Sequence, residues 1–487
     1  MIRFLLVSLL SVLIDVHSQA DFDALPARLD SVLALKQSAR IDIRIHPGVY
    51  FYRERSLFLT GLDCPETQIA FSGDDCVLVA EDDGKGHRLE NNYVDLERME
   101  PVDVWGTVCK ARTWPVPVLF HPGVYKILSH EPDVSEEDAR DLWLHITQWF
   151  SAPFYRVLKI ENGWIYFRKE TESETWMWSE LRYGRCLPRF ILCDKPSRDD
   201  LHACTAANFL TVTDSRLGSV TMENIRFLGN GAGNSLIWFE DVQSDSIRVS
   251  DCTFTHIRSS VIHIANTNDF SVTDCSFTEN YQNCISIHDG SRNSVVSNSR
   301  FVGNGKMMTN APLIRCRGVN YWIHDNYFED FSYSALGLGI HFTEEDLYGS
   351  GGVVEHNEIC QSPAFREGVI RCLVDSGAIY IATNNQRTVV RENYVHDIDG
   401  PHYNRGIFAD DGPKNVTIEG NTVLRIHNGY CIDLRKCLRV RWLRNTKVST
   451  PNTGNIMRGN RYDGRARFYV RPGDPTSYVG ENQKVCE

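Results

Sequence analysis

Between residues 216 and 450 one short phrase recurs nine times: apolar or β-branched residues in alternation, then Asn or Asp, then Phe, Val or Ile. The copies read VTMENIRF, IRVSDCTF, FSVTDCSF, SVVSNSRF, YWIHDNYF, GVVEHNEI, TVVRENYV, VTIEGNTV and VRWLRNTKV. Their closing apolar residues are Phe227, Phe254, Phe277, Phe301, Phe328, Ile359, Val395, Val423 and Val448, spaced 27, 23, 24, 27, 31, 36, 28 and 25 residues apart. A strand-like period of this length predicts a solenoid, because one turn cannot bury its apolar face alone and must stack on its neighbours.

A chain of 487 residues that is 42% hydrophobic can bury a large core. Its formal charge of −12 argues against nucleic acid as a partner, since phosphates need a basic surface. Residues 1–20 hold one early Arg, an apolar run over 4–14 and a small-x-small end at Ser18-Gln19-Ala20, which predicts a secretory signal peptide. The run is too short to span a bilayer and no later segment is long enough, so a secreted or periplasmic protein with no membrane span is expected. All fifteen Cys follow residue 20, an odd number. Cys252 and Cys275 hold equivalent places in consecutive repeats, as stacked interior residues would. Cys64/Cys76 and Cys186/Cys193/Cys204 are bridge candidates. There is no CxxC pair, and no metal ligands are assigned.

The expected organisation is a signal peptide (1–20), a capping helix (22–37) with the first coils (21–83), an insertion (84–186), further coils (187–451) and an irregular Gly- and Asn-rich tail (452–487). Capping suits a solenoid, whose open end exposes core and unpaired strand edges. The insertion holds seven of the ten Trp and reads as a mostly β subdomain with one short helix at SEEDARDLWLHI. Its Trp either form that subdomain's core or offer flat faces to sugars.

Each coil carries a second strand: SLIWFED, SVIHIAN, CISIHDG, PLIRCRG, LGLGIHF, GAIYIAT, GIFADDG and YCIDLRK. Alternate strand residues face opposite sides. With Ile262, Ile264, Ile285 and Ile287 inward, His263, Ser286 and His288 face out. Stacking at ~4.8 Å then lines up His288, Arg315, Arg317, His341, Tyr380, Asp410, Asp411 and Asp433 along an exposed trough suited to a polymeric or branched glycan. Asn298, Asn326, Asn357, Asn393 and Asn421 read as turn residues bonding the next coil. His396 and Asp397 read as a turn pair. Asp410 and Asp411 are different, because two adjacent carboxylates at a strand end repel unless something compensates them.

The phrases VVEHNEI, DSGAIY, VVRENYVHDI, GIFADDG and VTIEGNTV, in that order over 353–423, resemble glycoside hydrolase family 141 and its relatives. IRIHPGVY (43–50) and the interrupting β subdomain are similar too. The resemblance implies an all-β, right-handed parallel β-helix of the pectate-lyase kind. It also implies a glycosidase of fucosidase- or xylanase-like type, without a cofactor, whose chemistry falls to Asp375 together with Asp410 or Asp411. A glycosidase needs one carboxylic acid for the leaving oxygen and one carboxylate as nucleophile or base. On straight coils, however, about seven residues at ~3.3 Å would separate Asp375 from Asp410, roughly 23 Å. Asp433, read as one coil below Asp410, is therefore a competing partner. His288, His341, Tyr380, His402, Arg405 and Asp433 are the expected substrate contacts. Two alternatives stand beside this: a lyase with an Arg base and Ca²⁺, although Ca²⁺ is not indicated, and a non-catalytic glycan-binding protein. The polygalacturonase set of N-T-D, D-D, G-H-G and R-I-K is missing except for the bare DD.

Overall fold

The computed structural model describes residues 10–35, 39–52, 57–80, short stretches between 93 and 194, 208–229, 235–257, 259–280, 282–305, 311–339, 350–367, 376–382, 385–399, 404–410, 413–434, 439–443, 446–450, 455–468 and 474–485. From residue 235 onward each coil contributes three short strands to three parallel ladders. The first ladder includes Phe270–Thr273, Val295–Ser297, Trp322–His324, Val353–Glu355, Val389–Arg391 and Thr417–Glu419. The second includes Thr253–Thr255, Ser276–Thr278, Arg300–Asn304, Tyr327–Phe331, Glu358–Cys360, Tyr394–Ile398 and Thr422–Ile426. The third, the outer face of interest here, includes Ser260–Ala265, Ile285–Ile287, Ile314–Cys316, Leu336–Leu338, Ile379–Ala382, Asn404–Asp410, Gly429–Leu434 and Ala466–Phe468. The fold is the expected right-handed parallel β-helix.

Eight of the nine closing residues stack in register from Phe227 to Val423. The rings of Phe227, Phe254, Phe277, Phe301 and Phe328 form a continuous pile with centroid steps of 5.2, 4.9, 4.7 and 4.6 Å. Stacking identical side chains one coil apart satisfies each apolar face with its neighbour's. The ninth copy is a correction. Arg439–Leu443 and Thr446–Thr450 pair with each other as an antiparallel hairpin, so Val448 closes no coil. Alternation alone cannot distinguish such a hairpin from a coil strand. The residue beneath Val423 is Tyr462, within the tail expected to be irregular. Ile456–Arg458, Arg461–Tyr462, Ala466–Phe468, Tyr478–Val479 and Gln483–Lys484 instead continue all three ladders.

The Asn/Asp positions of the repeat divide into two roles. Asp251, Asp274, Asn298, Asp325, His356 and Glu392 sit at φ between +49° and +55°, turning the chain between the first and second ladders. The following residue builds an interior ladder: Asn326 N–H donates to Asn357 Oδ1 (3.1 Å), Asn357 to Asn393 (3.1 Å), Asn393 to Asn421 (3.0 Å), Asn421 to Asn460 (3.1 Å) and Asn460 to Asn482 (3.1 Å). Asn298 is exposed and lies outside this ladder, and Ser299 takes the place expected of it.

At the N-terminal end the helix spans Gln19–Leu33, three residues earlier than expected, with Ser18 as N-cap accepting from Asp21 N–H. It buries Phe22, Leu25, Leu29 and Leu33, and the Phe22 ring lies 5.5 Å from Tyr50. Leu10–Val16, inside the expected signal peptide, pairs in parallel with Ala39–Ile45 and buries Ile14 and Val16. The expected cleavage after Ala20 would fall inside the helix and remove this strand with it. Among the described residues no helix is long and apolar enough to cross a membrane.

The insertion contains a seven-stranded antiparallel sheet that reaches Arg189–Asp194, so its boundary lies beyond residue 186. The solenoid resumes with Leu210–Leu228, which pairs with Leu57–Thr60 and Asp63–Ala80 across the interruption. Leu142–Thr147, expected as part of a short helix, is a strand of this sheet, paired on both sides. Two flanking strands supply backbone partners that override local helix preference. Among the described residues eight cysteines are free thiols, including the expected bridge pair Cys64 and Cys76. Those two lie opposite Leu217 and Ile225, eight positions apart along the strand, beyond the ~4.4–6.8 Å α-carbon span of a disulfide.

Candidate functional site

Register on the third ladder defines one outward column: Trp238, His263, Ser286, Arg315, Gly337, Tyr380, Phe408, Asp433 and Arg467, one residue per coil. Two residues further along, Ala382 stands opposite Asp410. Their inward neighbours, from Ile262 and Ile264 to Ile432 and Leu434, are buried. The period-two reading of this face therefore holds.

Toward the C-terminal coils the column is chemically rich. The Tyr380 hydroxyl donates to Asp410 Oδ2 at 3.2 Å. The Tyr380 ring stacks on Phe408 at 4.9 Å and meets Tyr333 edge-on at 6.2 Å, forming a small apolar cluster apart from the main core. Gly377 makes this possible, since a Cβ there would sit 2.7 Å from the Phe408 Cβ. The Arg405 guanidinium lies over the Phe408 ring at 3.9 Å, and its Nε donates to Asp433 Oδ2 at 3.2 Å. Arg467 Nε approaches Asp433 Oδ1 at 3.5 Å.

Two expectations are corrected here. Asp433 does not lie beneath Asp410 but beneath Phe408, two residues earlier on the strand. Nor do these acids line an open trough: Asp433 and Arg405 are wholly buried, whereas Asp410 keeps 5% exposure and Tyr380 6%. Asp433 is thus paired across the coil step with Arg405 and approached by Arg467. Asp410, bonded to the Tyr380 phenol, keeps slight exposure where Asp433 has none. Asp375, Asp411, His341 and His402 lie outside the described residues.

The N-terminal half of this face differs in character. Trp238 stacks on His263 at 3.8 Å, and the His288 ring lies tilted against His263 at 4.4 Å. Burial pushes the His263 imidazole down to about 4, keeping it neutral. Arg317 pairs with Asp289 at 2.5 Å. Burial, then the neighbouring Arg317 charge, lowers the Arg315 guanidinium below its usual range. The structure thus separates His288 from Tyr380, Arg405 and Asp433 by several coils. Phe408 and Arg467 were missed as site residues. Phe408 was legible, since GIFADDG places it at the same strand position as Tyr380 in GAIYIAT. Arg467 was not, because its segment was expected to be irregular.

A family model described as a right handed beta helix region matches residues 212–301. No curated protein matches the chain. Among solved structures, one titled "Glycoside hydrolase" aligns over 97% of this chain and 96% of its own, at 11% identity and a TM-score of 0.54. The Streptococcus pneumoniae surface protein and adhesin PfbA aligns over 98% and 97%, at 11% identity and a TM-score of 0.39. XylC in complex with xylose aligns over 87% and 71%, at 10% identity and a TM-score of 0.35. The first of these shares the fold with this chain.

Proposed function

We propose that this protein is a glycoside hydrolase in which Asp410 supplies one of two working carboxylates, acting on a polysaccharide or oligosaccharide laid along the outer face of the third ladder. The observation that carries this reading is the hydrogen bond from Tyr380 to Asp410 beside the Tyr333–Tyr380–Phe408 aromatic cluster. The Tyr380 hydroxyl holds Asp410 in a fixed place beside this cluster, as a positioned acid or base needs. The outward Trp238–His263–His288 cluster adds ring faces of the sort that suit sugars.

The second acid follows the resemblance: Asp375 or Asp411. Asp433 is the weaker choice. Its α-carbon is one coil across (~4.8 Å) and two residues along (~6.6 Å) from that of Asp410, roughly 8 Å in all. Both Arg405 and Arg467 hold Asp433. We assign it a positioning role, anchoring the strand that carries Asp410. The finer reading, membership of glycoside hydrolase family 141 with a fucosidase- or xylanase-like specificity, rests on the resemblance of 353–423. An encounter with glycan outside the cytoplasm rests on the leader-like composition of residues 1–20 alone, since Leu10–Val16 pairs with Ala39–Ile45 in the fold.

A lyase is the second reading, with Arg315, an outward residue of the same column, as its candidate base. Digestion of a glycan panel by the parent protein and by Asp375→Asn and Asp410→Asn separates the readings. Hydrolysis releases reducing sugar that both variants lose. A lyase instead leaves an unsaturated, ultraviolet-absorbing product that Arg315→Ala abolishes. Glycan binding without turnover in the parent would replace both readings by a binding protein.

A further inference from the structure

We propose that Glu358, Cys360 and His396, on the outer face of the second ladder, form a binding site for a zinc-like divalent transition ion that clamps two adjacent coils. This site is on a different ladder from Asp410 and does not depend on the function proposed above.

Parallel register places the three residues together. Glu358 stands opposite Tyr394 and Ile359 opposite Val395, so Cys360 and His396 occupy the same place in consecutive coils. Glu358 and Cys360 are two residues apart on one strand and share a face. One donor atom from each of the three lies within 4.8 Å of the others, and His396 Nε2 is 3.3 Å from Glu358 Oε1. A tetrahedral ion with bonds of ~2.0–2.3 Å holds its donors about 3.3–3.8 Å apart. Side-chain adjustment of an ångström or so therefore closes the set, leaving a fourth position for water.

A second, independent feature points the same way. His396 Nδ1 lies 2.7 Å from Asp397 Oδ2, and Arg425 grips Asp397 through Nε (2.9 Å) and Nη2 (2.7 Å). With Nδ1 engaged by a carboxylate, the Nε2 lone pair faces Glu358 and Cys360. This carboxylate–histidine arrangement is how proteins orient a metal-binding imidazole. Arg425 also brings positive charge to within 3.4 Å of the ring, which Asp397 neutralises. Thiolate, imidazole and carboxylate together select zinc, cobalt or copper over calcium or magnesium, which prefer all-oxygen sets.

Cys360 is buried and its Sγ donates to the Tyr327 hydroxyl at 3.5 Å, a bond that ion binding would break. A bound ion takes the thiolate form, so Cys360 would give up its proton on binding. The location makes structural sense. The step from Ile359 to Val395 spans 36 residues, and the ion would pin the two coils on either side of that excursion.

The test is titration of the metal-free full-length protein with Co²⁺, read by thiolate-to-cobalt charge transfer in the near ultraviolet. The parent is expected to show the band at one equivalent and Cys360→Ser to lose it. His396→Gln and Glu358→Gln should each weaken binding at least tenfold, and Asp397→Asn by ~10–100-fold. Zn²⁺ should raise the melting temperature of the parent but not of Cys360→Ser, a comparison that also confirms each variant is folded. The cluster of Asp15, His17 and His46 has no thiol, so cobalt bound there gives no such band. A parent without the band, or a band that survives Cys360→Ser, overturns the proposal.

Discussion

Across the step between two adjacent coils, the Tyr380 hydroxyl donates a 3.2 Å hydrogen bond to Asp410 Oδ2, with both side chains more than nine-tenths buried. If Asp410 is a working acid or base, Asp410→Asn lowers glycan turnover by ~10²–10⁴-fold. Tyr380→Phe removes one hydrogen bond to a charged group, about 1.5–3 kcal/mol, and lowers turnover by roughly 10–150-fold. Reducing-sugar release across a pH series checks both. Full activity in Asp410→Asn would move the chemistry elsewhere.

Arg405 and Asp433 form an ion pair with no exposure on either side. Asp433→Asn leaves Arg405 buried beside a neutral partner and should cost about 3–5 kcal/mol in urea unfolding. Replacing both, as Arg405→Met with Asp433→Leu, should recover much of that loss. A single-variant cost under about 1 kcal/mol would show that the pair does not anchor these coils.

Asn357 Nδ2 donates to the carbonyls of Ile323 and Glu355 and to Asn393 Oδ1, while its own Oδ1 accepts from Asn326. Asn357→Ala strands several buried polar groups, each worth about 1–3 kcal/mol, so a loss of at least ~2 kcal/mol is expected in thermal melts. Asn298→Ala, at an exposed left-handed turn with φ of +49°, should cost only about 1 kcal/mol. Equal effects would contradict the division of the two positions into turn and ladder.

His263 has a folded value of about 4 against 6.5 for the free side chain. Above pH 6.5 it is neutral whether folded or unfolded, and its burial carries no proton penalty. As pH falls from 6.5 toward 4 the unfolded chain binds a proton that the folded protein excludes, so stability drops, by at most about 3 kcal/mol. Denaturation of the parent and of His263→Gln across this window measures the difference. The variant's profile should be flatter by that amount.

Residues 10–16 complete the first coil by pairing with Ala39–Ile45 and burying Ile14 and Val16. In this arrangement a protein lacking residues 1–20 exposes the strand edge of 39–45 and part of the Gln19–Leu33 helix start, and it should melt earlier than the full chain. N-terminal sequencing of the secreted or expressed protein, with melts of both forms, tests this. Equal stability would mean that the strand adds nothing and that the leader reading of residues 1–20 stands alone.

The amino-acid sequence by itself determined how the closing residues stack, but not the register at Asp433, which lies beneath Phe408 and not Asp410. The repeat is a local pattern, every copy faces the same interior, and a one-residue slip would turn Phe254 or Ile285 out to water. That is why eight closing residues and the outward positions of His263, Tyr380 and Asp433 were legible in advance. It could not separate a coil from a hairpin at 439–450, nor see the Asn ladder continuing through Asn460, because alternation is common to both pairings and the tail's Gly and Asn read as loop. Only the tertiary structure decided which acids share a neighbourhood. Stacking brings Arg405 and Arg467 onto Asp433 and Tyr380 onto Asp410, and burial and charge pairing are set by contacts between coils that distance along the chain does not encode.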